Sequence, residues 1–396
     1  MTMFTFSRKM PLPIAIERLL FYSVRYTSQF SPLVAVAGIL TGYTWAGFAL
    51  VFGYYLFVEL ILTVTSLGLD STQENEYEHE DPMNPRWLDH YGVAISGALL
   101  LVTIPLAFTF IALHSMTTFQ IVGSILSLAL VSGTVGGLVG HEYIHRQSRW
   151  EKALGVMVYG IFNYSHFAVS HVYGHHRRVG LQDDWSTSRR GESSYAFFLR
   201  AYVTGYIGAW KLTAQDLKRR KLNAFSIHNF MLKWTAAQIA VAAAVISLAG
   251  PALALKLAVI YFAYSVVSIC LSEMVNYLSH YGISRKEGDA VSLHHSWESA
   301  NKVTNWFIFN AGKHSEHHTK PTRPHFKLKL GETSEKLPFG LLLLTVIALV
   351  PPLYFAIMNP MVDRREADRD HDRASDIQLR GELRQAAVVE IKLIGK

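Results

Sequence analysis

Nine of the eighteen histidines in this chain fall into four tight groups. They read HEYIH (His141, His145), HVYGHH (His171, His175, His176), NYLSHYG (His280) and KHSEHH (His314, His317, His318). Neutral imidazole is the common nitrogen ligand for iron, zinc, copper and nickel. One ion takes about four to six ligands, so nine imidazoles are too many for one ion and about right for two. Each group lies just outside a long apolar segment, which points to redox chemistry at a membrane surface.

The spacings carry further information. His141 and His145 are four residues apart, which on a helix places both rings on one face, about 6 Å apart in rise. His171 and His175 share that spacing, with His176 beside them, and His314, His317 and His318 repeat the idea with steps of three and one. His280 ends the helical continuation of an apolar segment, and Glu273 lies seven residues before it on the same face. Glu142, Asp184 and Glu273 are the carboxylates placed to orient the ligands. Asp184 reads equally as a loop cap. His166, His294, His295 and His325 lie among the motifs as supporting donors. HExxH also marks zinc proteases, in which Glu142 would be the base. That reading needs only three protein ligands and leaves His175, His176, His317 and His318 without a role.

The elements that must position these groups are helices in a membrane. Half of the 396 residues are hydrophobic, 17% are charged and the mean hydropathy is +0.19, whereas soluble domains carry about a quarter charged residues. The apolar residues come in runs rather than in periodic stripes. The fold class is therefore all-α: a membrane bundle of about six transmembrane helices, near 32–46, 47–66, 92–113, 118–140, 232–249 and 252–276. The first two are divided at LTGYTW and the last two at Gly250-Pro251. An acidic polar loop is expected at about 70–87. LPFGLLLLTVIALVPPLYFAIM (337–358) is broken by Pro351-Pro352 and reads as a segment lying against the membrane face rather than a seventh span. Residues 1–30, with Arg8, Lys9, Arg18 and Arg25, read as an interfacial leader without the pattern of a cleaved signal peptide. Residues 361–396 read as a charged tail. Cys270 is the one cysteine, which excludes a disulfide framework or a cysteine-ligated cluster within the chain.

The connections TGYTW, HSMTT and AGPA carry no lysine or arginine, while residues 142–233 carry about fourteen. The positive-inside rule puts that stretch, both termini and all four histidine groups in the cytoplasm. The net charge of +7 reflects this bias rather than nucleic-acid binding. Arg177, Arg178, Arg189, Arg190, Arg219, Arg220 and Lys221 form a basic face suited to an acidic electron carrier or to anionic lipid headgroups.

With these motifs in order, the chain resembles the integral-membrane alkane 1-monooxygenases, within the wider membrane fatty acid desaturase/hydroxylase superfamily. The resemblance covers about residues 30–360, so that 31–360 is the expected catalytic domain. It includes HEYIH, SHVYGHH, NYLSHYG, KHSEHH and the flanks QDDWSTSRRGESSYAFFLR, SWESANKVTN and HHTKPTRPHFKL. It implies six spans beneath a cytoplasmic di-iron cap, with the nine histidines as ligands of two non-haem iron ions. It also implies oxygen-dependent hydroxylation of an unactivated, terminal C–H bond of an apolar substrate such as a medium-chain alkane. The electrons would come from NADH through a separate reductase and a rubredoxin- or ferredoxin-type carrier. A bacterial inner membrane is the expected location. Ser170 and Ser279 stand where the family usually has glutamate, and NAGKHSEHH replaces the more common Leu-Gln-Arg lead. These changes bear on the substrate more than on the ligands, and leave methyl groups of alkylaromatics, as in xylene monooxygenases, open. An acyl desaturase and a non-catalytic metal transporter are the remaining rivals. The transporter reading would place ionisable groups inside the spans, whereas here the histidines cluster outside them.

Overall fold

The computed structural model describes residues 14–64 and 86–369. The first thirteen residues of the expected leader, most of the acidic loop at 70–87 and the tail beyond 369 lie outside the described residues. Among those described, five helices are long and apolar enough to cross a membrane: α2 (Ala46–Thr63), α3 (Tyr91–Leu113 of the helix Arg86–Leu113), α4 (Thr118–Ile144), α8 (Phe230–Ala249) and α9 (Pro251–His280). A sixth long helix, α1 (Ile14–Leu40), precedes them.

The first expected span, 32–46, is the second half of α1. The helix runs unbroken through Pro32 and across the boundary at residue 30. Of the residues that suggested an interfacial leader, Arg25 faces protein. Arg25 donates to the Trp306 carbonyl (3.3 Å), lies 3.0 Å from His325 Nε2 and stacks 4.3 Å from the Phe309 ring. The Ser28 hydroxyl donates to the Phe307 carbonyl, 2.9 Å. At 27 residues, α1 is about 40 Å long. It starts beside the histidine-rich layer and ends at a turn, residues 41–45, where Gly42 takes φ +89°. The other far-end connections are equally short. Thr117 caps α4 with a reciprocal Gln120 bond, and Gly250, at φ +75°, lets Pro251 open α9.

α4 and α9 set the height of the site. At 27 and 30 residues they are about 40 and 45 Å long, against about 30 Å of bilayer hydrocarbon. Both therefore project beyond it at the same end, α4 ending on HEYI and α9 on His280. Over these ends lies a layer of further helices: α5 (Arg149–Gly160), α6 (residues 167–178), α7 (Ser194–Arg219), α10 (Lys302–Phe307) and α11 (His314–Thr319). A two-residue parallel pairing, β1 (Trp297–Glu298) with β2 (Glu335–Lys336), departs from a purely helical expectation. It ties the chain before α10 to the chain after α11.

Residues 337–358 do not form one helix. α12 (Leu341–Ala348) stops at Leu349, and a second helix, α13, runs over residues 351–369. Leu341, Leu344, Ala348, Tyr354, Met358 and Val362 are buried on the bundle. Glu59 of α2, fully buried, holds the start of α12. Its carboxylate accepts from the Leu343 backbone N–H (2.9 Å) and the Thr304 hydroxyl (2.8 Å), and Thr304 Oγ1 accepts from Leu341 N (3.1 Å). An acidic group at a helix N-terminus pairs with otherwise unpaired N–H donors. Substituting Glu59→Leu leaves those donors buried without a partner. It is expected to cost about 1–3 kcal/mol, seen as a lower unfolding midpoint of the protein in detergent. An unchanged midpoint would refute this role.

Candidate metal centre

All nine histidines meet at the projecting end of the bundle, in two groups whose ring nitrogens lie within 4.8 Å of one another: His141, His145, His171, His176 and His317, and His175, His280, His314 and His318. Helix periodicity explains the division. HEYIH lies on α4, and its i, i+4 pair shares a face, as does His314 with His318 on α11. SHVYGHH behaves differently. His171 and His175, expected as an i, i+4 pair, fall in different groups, and His171 joins His176 instead. Residues Ser170–His175 form a π-helical turn in which the His176 N–H reaches the His171 carbonyl. At about 100° per residue an α-helix would put His176 about 140° around from His171. A turn closed between i and i+5 brings the two into line. A second π-helical turn, Ser132–Gly136, lies one turn before HEYIH, with Gly137 N–H bonded to the Ser132 carbonyl.

The nitrogens converge as a ligand shell does. The Nε2 atoms stand 2.9 Å apart for His141–His171, 3.0 Å for His171–His176 and 3.1 Å for His176–His317. In the other group they stand 3.2 Å for His175–His280 and 3.1 Å for both His280–His314 and His314–His318. A neutral imidazole has one N–H and one lone pair, so a single Nε2 facing two others cannot be satisfied by hydrogen bonding. Nitrogens held about 2.1 Å from one cation, at roughly right angles, would stand about 3 Å apart. His145 Nε2 is buried with no hydrogen-bond partner among the described residues. The residues present thus fit two histidine-bound cations.

Outer partners fix the tautomers. Asp184 Oδ2 lies 2.7 Å from His175 Nδ1 and accepts from the Thr187 hydroxyl at 2.6 Å. The His295 carbonyl lies 3.2 Å from His280 Nδ1. Both arrangements leave Nε2 free for a metal. The loop carrying Asp184 is held by Arg200 of α7, which pairs with Glu192 (2.6 and 2.7 Å) and donates to the Trp185 and Thr187 carbonyls. Glu142 bonds to groups outside the nine histidines. It accepts from Arg146 at 2.6 Å and from the His325 N–H at 3.3 Å, joining α4 to α1 through Arg25. Glu273, buried in α9, takes the hydroxyl of Tyr164 and the amide of Asn276. His166 packs among Tyr164, Tyr202 and Tyr206, away from the ligands, and the His294 carbonyl accepts from Arg365. Sequence reasoning missed Glu298. It is fully buried and accepts from Ser315 N (3.1 Å), Gly331 N (3.0 Å), Lys336 Nζ (2.8 Å) and the Ser334 hydroxyl, fastening α11 in place. Its sequence signal was its place in the SWESANKVTN flank, within which it was not singled out.

Burial holds the His171, His176, His317 and His318 imidazoles well below their usual 6.5, reinforced by neighbouring rings, and takes His314 down to about 3. They are neutral, as ligation requires.

Beneath both groups lies a partly open cavity. Val51, Phe52 and Leu56 of α2, Leu271 and Met274 of α9 and Leu342 of α12 line it, and it reaches His141 of one group and His314 of the other.

The model of the fatty acid desaturase family matches residues 116–338, which contain all nine histidines. The chain is 33% identical over 277 residues to alkane 1-monooxygenase 1 of Pseudomonas aeruginosa, covering 67% of this chain and 72% of that protein. It is 30% identical over 341 residues to alkane 1-monooxygenase 2 of Alcanivorax borkumensis (84% and 87%). It is 27% identical over 239 residues to the hydroxylase component of a Pseudomonas putida xylene/toluene monooxygenase (60% and 63%).

Asp184→Asn keeps the shape but removes the negative charge behind His175. Metal affinity should fall by about 10- to 100-fold, measured as metal content after dialysis, and undiminished content would refute the role of Asp184. Acid acts in a definite direction. The folded imidazoles have lowered pKa values, so below the unfolded value of 6.5 protons bind the unfolded chain in preference and the metal-holding folded state loses stability. Metal should be retained at pH 7.5 and lost progressively between 6.5 and about 3. Loss that instead began above pH 7.5 would contradict this.

Proposed function

The chain belongs to the fatty acid desaturase family and is a membrane monooxygenase akin to the alkane 1-monooxygenases, and from that premise we propose that it hydroxylates a terminal, unactivated C–H bond of an apolar molecule such as a medium-chain alkane. The observation that carries this reading is the cavity: an apolar pocket within the bundle that ends on one histidine of each group. An alkane partitions into the bilayer and gains nothing from polar contacts, so such a pocket suits it.

His141, His145, His171, His176 and His317 would hold one iron ion, and His175, His280, His314 and His318 the other. When bound, the two ions supply the reduction of dioxygen and the oxidation of the C–H bond. The protein's part is positioning and exclusion of water. Asp184 and the His295 carbonyl keep the His175 and His280 tautomers ready. Glu142 joins α4 to α1. Glu273 anchors a polar contact at the pocket wall. Leu56, Leu341 and Leu342 line the apolar wall of the cavity. The fourteen or so lysines and arginines of residues 142–233 support a cytoplasmic site in a bacterial inner membrane. Electrons from NADH, through a reductase and a rubredoxin- or ferredoxin-type carrier, would arrive over Arg177, Arg178, Arg189 and Arg190. Arg178 there stacks 4.6 Å from the Trp185 ring, next to Asp184.

The likeness to a xylene/toluene monooxygenase component supports a second substrate, methyl groups of alkylaromatics. Conversion of octane, p-xylene and a fatty acyl ester under ¹⁸O₂ tests both. Hydroxylation puts one labelled oxygen into the product. Desaturation lowers the mass by two hydrogens without label, and that outcome would sink the hydroxylase reading. His175→Ala, with its metal group broken, is expected to lower conversion at least about a hundred-fold.

A further inference from the structure

Most polar side chains of the cavity already give their hydrogens to the backbone. Tyr159 donates to the Gly137 carbonyl (2.8 Å), Ser272 to Gly133 (2.9 Å), Thr134 to Leu130 (2.5 Å) and Thr345 to Leu341 (2.7 Å). Two histidines, His141 and His314, belong to the metal groups. Asn276 differs. It lines the same cavity, and among the described residues its side chain bonds to another side chain rather than to the backbone, from Nδ2 to Glu273 Oε2 at 3.2 Å. The other Glu273 oxygen is held by the Tyr164 hydroxyl, so the carboxylate is fixed from both sides and fixes the amide in turn. Among the described residues that leaves the Asn276 Oδ1 acceptor and second N–H without a partner in a mostly apolar pocket. Asn276 lies one helical turn before His280 on α9, about 6 Å lower in rise, so this free amide edge sits at the metal end.

We propose that Asn276, oriented by Glu273 and Tyr164, is a hydroxyl-binding subsite that takes the oxygen end of a primary alcohol. This rests on the hydroxylase reading. A hydroxyl is both donor and acceptor and matches both free functions of the amide. An alkane matches neither and leaves the amide edge unpaired in a poorly solvated place, an arrangement that costs free energy. Inserting an oxygen atom at the metal end therefore creates the partner that Asn276 lacks. The amide edge also biases which end of an oxygenated chain points to the histidines.

The test is equilibrium binding of labelled 1-octanol and 1-chlorooctane, ligands of like length of which only the alcohol can donate a hydrogen bond. The full chain, iron-loaded in nanodiscs, is used, with partition into empty nanodiscs subtracted. The wild type should bind the alcohol about three- to ten-fold more tightly than the chloroalkane, the worth of one or two neutral hydrogen bonds. Asn276→Leu should bring the two together while Asn276→Gln retains part of the preference. A wild type with no preference overturns the proposal without any variant, so a leucine variant that fails to hold iron does not rescue it. A preference that survives in an iron-loaded Asn276→Leu protein overturns it as well. The hydroxylase reading fails separately, if no labelled oxygen enters octane.

Discussion

Nine imidazoles can share one buried place only if they stay neutral and aim their lone pairs inward, and the rest of the architecture serves that requirement. A cluster of cations there would repel itself in a poorly solvated interior. Burial lowers the pKa values and keeps the rings neutral. Neutrality then raises a question of tautomer, because each ring has its hydrogen on one nitrogen only. The structure answers it where outer partners exist, at His175 through Asp184 and at His280 through the His295 carbonyl. Both rings belong to the four-histidine group, which is therefore the more firmly oriented of the two.

The same requirement explains why the bundle departs from ideal helices. Two groups must be drawn from four short motifs, and one motif, SHVYGHH, has to serve both. A regular α-helix there would pair His171 with His175 and turn His176 away. The π-helical turn pairs His171 with His176 and leaves His175 to the neighbouring group. Such turns are less stable than α-helix and persist where surroundings enforce them. Here the enforcement is visible in Trp185, packed against Gly174 within the turn and against Gly208 of α7, with Arg178 on its ring. A side chain at Gly174 would overlap that indole, which is why the residue between the ligands has none.

Much of this was legible in the residues. The i, i+4 pairs of HEYIH and the end of α9 at His280 follow from spacing and from the length of apolar runs, and the five long apolar helices lie where the hydropathy placed them. What could not be read has a common physical cause: it depends on partners distant in sequence. Arg25 looked like a surface charge because its partners, Trp306, Phe309 and His325, are about 280 to 300 residues away. Glu298 and Glu59 were given no role from the sequence, because the backbone N–H groups they serve lie elsewhere along the chain. The division of SHVYGHH was hidden for a related reason, since a π-helical turn is imposed by packing rather than announced by local propensity.

Pocket and metal groups are not separate designs joined at a boundary. α4 and α9 each line the cavity with their lower turns and carry ligands on their upper ones, His141 and His145 on one and His280 on the other. Gly133 and Gly137 bring the two helices close, so that Ser272 on α9 reaches the Gly133 carbonyl within the π-helical turn of α4. A side chain at Gly133 would meet the Ser268 backbone and push α4 from α9, which would widen the pocket and move His141 relative to His280 in one displacement. Pocket width and the spacing of the two histidine groups are thus set by a single helix–helix contact. A change made there to admit a broader substrate would also disturb the metal groups, whereas changes on α2 or α12, which line the cavity but carry no histidine of either group, would not.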